Sequence, residues 1–154
     1  MVYLDTSVAV ALFIPEVKTA SVKEWFATCP DPIVSADWMV TEFASALSLK
    51  ERRGDITAQA ARAVWTEFES FRAAGLRLVP VSRKAFEDAA RMTLDSASGL
   101  RSGDSLHLAV ALELGVSSLA TADGVLGANA GKHGLTTVGF PYRGQIPFLR
   151  SSSI

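Results

Sequence analysis

The sequence predicts a three-layer α/β/α domain with a central, mostly parallel sheet of four to five strands. Short β-like runs alternate with helical runs from residue 2 to residue 140. This alternation is typical of a parallel sheet that carries helices on both faces. The chain has 154 residues, of which 49% are hydrophobic and 20% are charged. That length and composition suit one domain with a full core and exclude disordered and fibrous classes.

The predicted strands are short apolar runs bounded by polar or turn-forming residues. The first, Val2–Leu4, stops at Asp5-Thr6-Ser7, where residues that favour a helix N-cap follow. The other candidates are residues 32–35, 76–81, 116–121 and 136–140.

The predicted helices occupy the intervening segments. One begins after Asp5 and ends near Pro15, and others cover residues 17–28 and 37–53. Gly54 is a suitable residue after the C-cap, and Thr57 is a suitable N-cap for the next helix, so the two helices form an αα-hairpin. A further helix is expected around residues 86–94. Residues 106–114 are apolar nearly all round, which predicts a buried central helix with Ser102 as its N-cap.

Composition also limits location and partners. The longest apolar stretch, Val8 to Ile14, is far shorter than the ~20 residues of a membrane span, and no basic segment precedes an apolar run at the N-terminus. One cysteine, Cys29, cannot form an internal disulfide. We therefore expect a cytoplasmic protein without membrane contact. The net charge of −1 lacks the basic excess usual in proteins that bind nucleic acid through its phosphates.

Four carboxylates are the candidate functional residues. Asp5 and Asp123 each follow a predicted strand, and ligands of open parallel sheets bind at the carboxyl ends of the strands. Asp104 falls in the first turn of the apolar helix. Glu42 lies in the middle of a helix, beside an apolar stripe. Each also has a structural interpretation: Asp5 as an N-cap, Asp104 as a helix-dipole partner, Asp123 as part of an Asp-Gly turn, and Glu42 as a partly exposed helix residue.

Together these carboxylates predict a cation site. Converging carboxylates repel one another and raise one another's pKa values, and a divalent cation removes that cost. Oxygen ligands favour Mg²⁺ or Mn²⁺, whereas His107, His133 and Cys29 supply a zinc site poorly. Mg²⁺ on a few carboxylates is the arrangement used in phosphodiester hydrolysis.

Several motifs resemble those of PIN-domain nucleases, specifically the VapC-type toxins of type II toxin–antitoxin systems. The resemblance runs from residue 2 to about residue 140 and rests on four acidic segments in the family's order. It departs from the family at Gly124 to Gly134, where Gly and Ala replace a bulkier helix, and in a longer tail after Phe140. The turn Arg53-Gly54-Asp55-Ile56 also fits the family. The four acidic segments are Tyr3-Leu4-Asp5-Thr6-Ser7, Thr41-Glu42-Phe43-Ala44-Ser45-Ala46-Leu47, residues 100–109 around Asp104, and Leu119-Ala120-Thr121-Ala122-Asp123.

The resemblance implies a PIN-like nuclease domain over residues 1–140 with residues 141–154 as its C-terminal extension. It implies a Mg²⁺- or Mn²⁺-dependent endoribonuclease, a cognate antitoxin whose segment fills the acidic groove, and a homodimer. Asp5 and Asp104 would be metal ligands, completed by Glu42 and Asp123 directly or through water. Thr6 and Thr121 would hold water or phosphate by their hydroxyl groups.

Two further residues near Asp104 carry alternative roles. Arg101 can contact a substrate phosphate or form an ion pair with a local carboxylate. His107, three residues after Asp104 on an apolar helix, is better explained as a hydrogen-bonded core histidine than as a catalytic group.

Three other functions place aspartates at strand ends. A receiver domain needs an acidic pair after the first strand, and a phosphatase with an aspartyl nucleophile needs a second Asp at position 7; the chain has Thr6 and Ser7 there. A catalytically silent PIN-like domain that only binds RNA or protein remains an alternative, although all four acidic positions are filled.

Overall fold

The computed structural model describes residues 1–140, and in this part of the chain five parallel strands form one sheet in the order β3-β2-β1-β4-β5. The predicted parallel sheet is therefore confirmed. The strands are short and lie within or next to the predicted apolar runs. Their bounds are β1 (Val2–Leu4), β2 (Ile33–Ala36), β3 (Arg77–Val79), β4 (Ser118–Ala120) and β5 (Thr136–Val138).

Helices cover both faces of the sheet. One of them, α7, was not predicted, because its sequence of glycines and small residues has low intrinsic helix propensity. The predicted N-cap of α6 is also wrong: Arg101 is the N-cap and Ser102 is the first helical residue. The helices are α1 (Thr6–Phe13), α2 (Thr19–Thr28), α3 (Trp38–Arg53), α4 (Ala58–Ala73), α5 (Arg83–Leu94), α6 (Ser102–Glu113) and α7 (Gly124–Lys132), with a 3₁₀ turn at Ser96–Ser98.

Alternation along the strands divides the core into two layers. Tyr3 and Leu119 face the layer that contains residues of α5, α6 and α7, whereas Leu4 and Ala120 face the layer of α1, α3 and α4. The central helix α6 is buried along most of its length, as its apolar sequence predicted. This arrangement is the three-layer α/β/α architecture.

The hairpin of α3 and α4 fixes the helix that carries Glu42. Gly54 adopts the left-handed conformation (φ 77°) at the end of α3, and the Thr57 hydroxyl accepts a hydrogen bond from the Ala60 N–H, as the N-cap of α4. Phe43 and Phe68 are fully buried and stack with ring centroids 3.9 Å apart. This packing holds α3 against the sheet on the side of α1.

The strand order changes direction at β1, which has β2 on one side and β4 on the other. Leu4 pairs with Ala120, and the Asp5 N–H donates to the Ala120 carbonyl at 3.0 Å. The carboxyl ends of β1 and β4 thus meet at a topological switch point, the usual ligand site of such sheets. Residues 141–154, predicted to be an extension of the domain, lie outside the described residues, so that boundary stays a prediction. Within residues 1–140, no helix is long and apolar enough to cross a membrane.

Candidate active site

Asp5 lies at the carboxyl end of β1 and is only 4% exposed. Its Oδ2 accepts hydrogen bonds from the hydroxyls of Thr121 (2.8 Å) and Ser7, and from the Ser7 N–H, as the N-cap of α1. Its Oδ1 lies 3.7 Å from His107 Nε2. Asp5 is therefore the N-cap of α1, as predicted. The capping hydrogen bonds use only one of its two carboxylate oxygens.

Asp123 lies three residues after the end of β4. Its Oδ1 accepts hydrogen bonds from the N–H groups of Val125 (2.7 Å) and Leu126 (3.0 Å) and so caps α7. The Thr121 hydroxyl accepts a hydrogen bond from the Asp123 N–H at 2.9 Å while it donates to Asp5. Thr121 therefore connects the Asp5 carboxylate to the backbone of Asp123.

Asp104 lies in the first turn of α6, as predicted, and its Oδ2 accepts a hydrogen bond from the Arg101 N–H at 3.3 Å. Burial raises the pKa of this carboxyl, and the Arg101 hydrogen bond only partly opposes it. The charges of Asp123, Asp5 and Glu42 raise the pKa further. Burial is therefore the main cause of the raised pKa of Asp104, and repulsion by the neighbouring carboxylates adds to it.

Glu42 reaches the same place from α3. Its Oε2 accepts a hydrogen bond from the Thr6 hydroxyl at 2.7 Å and lies 2.6 Å from His107 Nε2. Burial alone would raise the pKa of Glu42, but the hydrogen bond and charge of His107, with smaller contributions from Thr6 and the Trp38 indole, lower it overall. Glu42 is thus held in its charged form, with its side chain 26% exposed.

The four carboxylates share one feature of bonding. In each, the protein hydrogen bonds found within residues 1–140 all go to a single oxygen: Oδ2 of Asp5 and Asp104, Oδ1 of Asp123 and Oε2 of Glu42. For Asp5, Asp104 and Asp123, the second oxygen has no hydrogen-bond partner in this part of the chain, so one oxygen fixes the side chain and the other can take a ligand. Glu42 differs, because its Oε1 packs against Gly103 close to the Trp38 indole.

These residues line a single open cleft of about 860 Å³. Lys18 reaches its rim, where Nζ donates to the Ala122 carbonyl at 2.5 Å. Beside the acidic end the cleft has an apolar wall. Its lining residues are Asp5, Thr6, Ser7, Val10, Glu16, Val17, Lys18, Glu42, Ser45, Ala46, Leu49, Arg101, Asp104, Ala122 and Asp123. The sequence-predicted acidic residues are therefore brought together in one site.

The predicted substrate-binding residues occupy different positions around it. Arg101 is exposed and lines the cleft, with its side chain available to a ligand. Thr6 and Thr121 are both buried, and their hydroxyls already bond to Glu42 and Asp5, respectively. Their direct role toward phosphate stays a prediction, while their role in holding carboxylates is visible.

A comparison with known families agrees with this geometry. The profile of the PIN domain family matches residues 2–132. The chain belongs to the PIN domain family. By sequence alone, it has no significant match among curated proteins.

The chain superposes on several solved structures. Mycobacterium tuberculosis VapC20, a sarcin-ricin loop cleaving toxin, superposes with a TM-score of 0.68 at 20% identity, over 84% of this chain and 95% of that one. FitAcB from Neisseria gonorrhoeae superposes with a TM-score of 0.66 at 15% identity, over 89% of this chain and 96% of that one. VapBC2 from Rickettsia felis, bound to a DNA fragment from its promoter, superposes with a TM-score of 0.60 at 15% identity, over 92% of this chain and 100% of that one. At these identities the likeness shows the PIN fold.

Two residues of this PIN domain were not assigned to the site from sequence. His107 is a hydrogen-bonded core histidine, as expected, but its partners belong to the site. Its position three residues after Asp104 was the available signal, because that spacing places both on one helix face. Ser7 was quoted only as part of a motif, yet its hydroxyl bonds to Asp5 and accepts from the Ala122 N–H at 2.9 Å.

Gly103 leaves the space that Glu42 occupies. A Cβ on Gly103 would lie 2.2 Å from Glu42 Oε1 and 3.5 Å from Trp38 Nε1. A carbon and an oxygen cannot approach so closely, so only glycine at this position allows the carboxylate to sit where it does. No sequence pattern signals this contact, because it joins α3 to the first turn of α6.

We predict that Gly103→Ala displaces the Glu42 carboxylate. In a helix, Gly→Ala normally stabilises the fold by roughly 0.5–1 kcal/mol. Here the gain is outweighed, because the displaced Glu42 must give up one of its hydrogen bonds to Thr6 and His107, and a hydrogen bond to a charged group is worth about 1.5–3 kcal/mol. Urea unfolding should show a lower free energy of unfolding by about 1–2 kcal/mol.

The matched control is Gly131→Ala, a helical glycine of α7 with nothing within 4 Å of an added Cβ. It should be neutral or stabilising. Equal behaviour of the two variants would contradict the close packing of Gly103 against Glu42.

Proposed function

We propose that this PIN domain is a metal-dependent endoribonuclease that hydrolyses RNA phosphodiester bonds and acts as the toxin of a toxin–antitoxin pair. The observation that carries the proposal is the cluster of Asp5, Glu42, Asp104 and Asp123 in one cleft, where protein hydrogen bonds hold each carboxylate in place. A domain that only bound RNA would have no need to concentrate negative charge where phosphate must approach.

The donor set fits a hard divalent cation. The available groups are carboxylate oxygens. Burial, and to a smaller extent the charges of the neighbouring carboxylates, raise the pKa of Asp104, and a bound cation would offset both effects. Donor atoms of Asp5, Glu42 and His107 lie within 4.8 Å of one another. Because His107 Nε2 is already within hydrogen-bond distance of Thr6 and Glu42, oxygen ligation by Mg²⁺ or Mn²⁺ is favoured over a zinc site.

The protein's own residues would bind and orient the substrate. When bound, the cation would supply an activated water and neutralise charge on the phosphate. Asp5, Asp104, Glu42 and Asp123 would hold it directly or through water. The guanidinium group of Arg101 faces the same cleft and would contact a phosphate oxygen of the RNA.

The toxin role draws support from the neighbouring structures, which include a sarcin-ricin loop cleaving toxin and a toxin–antitoxin complex from Klebsiella pneumoniae. By this proposal a cognate antitoxin inserts a segment into the cleft. Its polar end would face the acidic cluster, and its apolar side chains would cover Val10, Val17, Ala46 and Leu49. A homodimer and cytoplasmic action on RNA belong to the same proposal.

Neutralising either of two carboxylates should remove cleavage while the protein stays folded. We expect Asp5→Asn and Asp104→Asn to lower the rate of RNA cleavage by about 100-fold or more, since even residues that only support metal ligands cost 10–100-fold. Asparagine keeps an oxygen for the local hydrogen bonds. The measurement is cleavage of a labelled RNA with circular dichroism melts in parallel.

Glu67→Gln is the charge-matched control, because Glu67 is an exposed residue of α4 outside the cleft. It should cleave at the wild-type rate. Undiminished cleavage by Asp104→Asn would overturn the assignment of the site and leave a silent binding domain as the alternative.

Removal of divalent cations should stop cleavage and lower stability. EDTA is expected to abolish activity, and Mg²⁺ or Mn²⁺ in excess of EDTA to restore it. Binding at 100 times the dissociation constant should add about 2.7 kcal/mol to the free energy of unfolding. Differential scanning fluorimetry should therefore show a rise in melting temperature with Mn²⁺ that is smaller in Asp104→Asn. Cleavage that resists chelation would contradict a metal-dependent mechanism.

If the chain is a toxin, its expression alone should arrest bacterial growth. Co-expression of the short neighbouring reading frame, which would encode a DNA-binding antitoxin, should restore growth, and the Asp104→Asn variant should not be toxic. Growth counts after induction measure both effects. Toxicity that persists in Asp104→Asn would separate growth arrest from nuclease chemistry.

A further inference from the structure

A chain of hydrogen bonds runs through the buried side of the site. His107, 1% exposed, lies at its centre in α6. The Tyr3 hydroxyl of β1 lies 2.8 Å from His107 Nδ1. On the other side of the ring, Nε2 lies 2.9 Å from Thr6 Oγ1 and 2.6 Å from Glu42 Oε2. The ring thus connects the sheet to the carboxylate on α3.

The partners of the ring decide where its hydrogen lies. The Thr6 hydroxyl donates its own hydrogen to Glu42 Oε2, so both groups next to Nε2 can only accept from the ring. Nε2 therefore carries a hydrogen that points at the carboxylate, and Nδ1 forms the hydrogen bond with the Tyr3 hydroxyl. A nitrogen that donates to Glu42 has no lone pair to offer to a cation, so the contact between His107 and the acidic cluster is not one of metal ligation.

Glu42 needs such a contact more than the other carboxylates. Asp5, Asp104 and Asp123 have short side chains and are fixed by N–H groups of helix termini. Glu42 lies in the middle of α3, has a longer side chain and receives no backbone hydrogen bond among residues 1–140. It is held instead by side chains on the Oε2 side and by Gly103 on the Oε1 side.

We propose that His107 is a positioning residue for Glu42: held by Tyr3, it donates to Glu42 Oε2 and fixes the carboxylate in the cleft beside Asp5 and Asp104. This inference rests on the proposed function. His107 would touch neither the cation nor RNA and would act only through Glu42. Residues that orient metal ligands in this way typically change metal affinity or activity by 10–100-fold when replaced.

The first test measures Mn²⁺ affinity by isothermal titration calorimetry. His107→Leu removes both ring nitrogens and should weaken Mn²⁺ binding by about 10-fold or more. His107→Gln retains a side-chain N–H that can reach Glu42, so it should recover most of the lost affinity. His133→Gln, at the other histidine of the chain and at the exposed end of α7, should bind as the wild type does.

Two more variants separate positioning from general loosening of α6. Tyr3→Phe keeps the donor to Glu42 but removes the group that holds Nδ1, so its loss of Mn²⁺ affinity should lie between those of His107→Gln and His107→Leu. Leu108→Ala removes a fully buried neighbour on α6 that faces the core. It should lower the melting temperature without changing Mn²⁺ affinity. If His107→Leu does not fold, Tyr3→Phe and His107→Gln carry the comparison.

Each result bears on a defined claim. Equal Mn²⁺ affinity in wild type and His107→Leu, or an equal loss in Leu108→Ala, would overturn the positioning role. Electron spin echo measurements on bound Mn²⁺ should show no directly coordinated nitrogen; a nitrogen coupling would make His107 a ligand instead. Failure of the wild type to bind Mn²⁺ at all would refute the proposed function and this inference together, whereas the other outcomes refute only the inference.

Discussion

The pairing of β1 with β4 is the interaction on which the site depends. It aligns Leu4 with Ala120, so the residues that follow both strands emerge at one edge of the sheet. Asp5 and Thr121 are then close enough to form a buried hydrogen bond, and Asp123 follows within two residues. A slip of one residue in this register would turn every side chain of β4 to the opposite face and break that contact.

Rigid positions are needed because the site concentrates negative charge. Flexible acidic side chains would move apart to reduce their repulsion. Asp5, Asp104 and Asp123 are instead each held at the start of a helix, where N–H groups and the positive end of the helix dipole favour a carboxylate. Capping and ligand binding therefore do not compete as explanations. The capping bonds fix one oxygen of each group and thereby aim the other.

The sequence predicted what depends on local pattern. Strand ends, helix periodicity and the capping residue Thr57 identified the layers and placed Asp5 and Asp104, because those positions follow directly from where elements begin and end. The sequence did not predict α7, because this segment is rich in glycine. Its helix is stabilised by the Asp123 cap and by packing of Leu126 and Ala130 in the core. The contact of Gly103 with Glu42 depends on how α6 lies against α3, which no local pattern encodes.

The charge balance places a further constraint on how such a site binds RNA. With a net charge of −1 and four carboxylates in the cleft, long-range attraction to the phosphate backbone is weak. Two basic residues line the cleft: Lys18, which donates to the Ala122 carbonyl, and Arg101, whose planar guanidinium group suits a phosphate. Affinity for RNA would then depend on the bound metal. Because hydrogen bonds already hold one oxygen of each carboxylate, cation binding would cost little conformational entropy. The same few atoms would then both bind the RNA and cleave it.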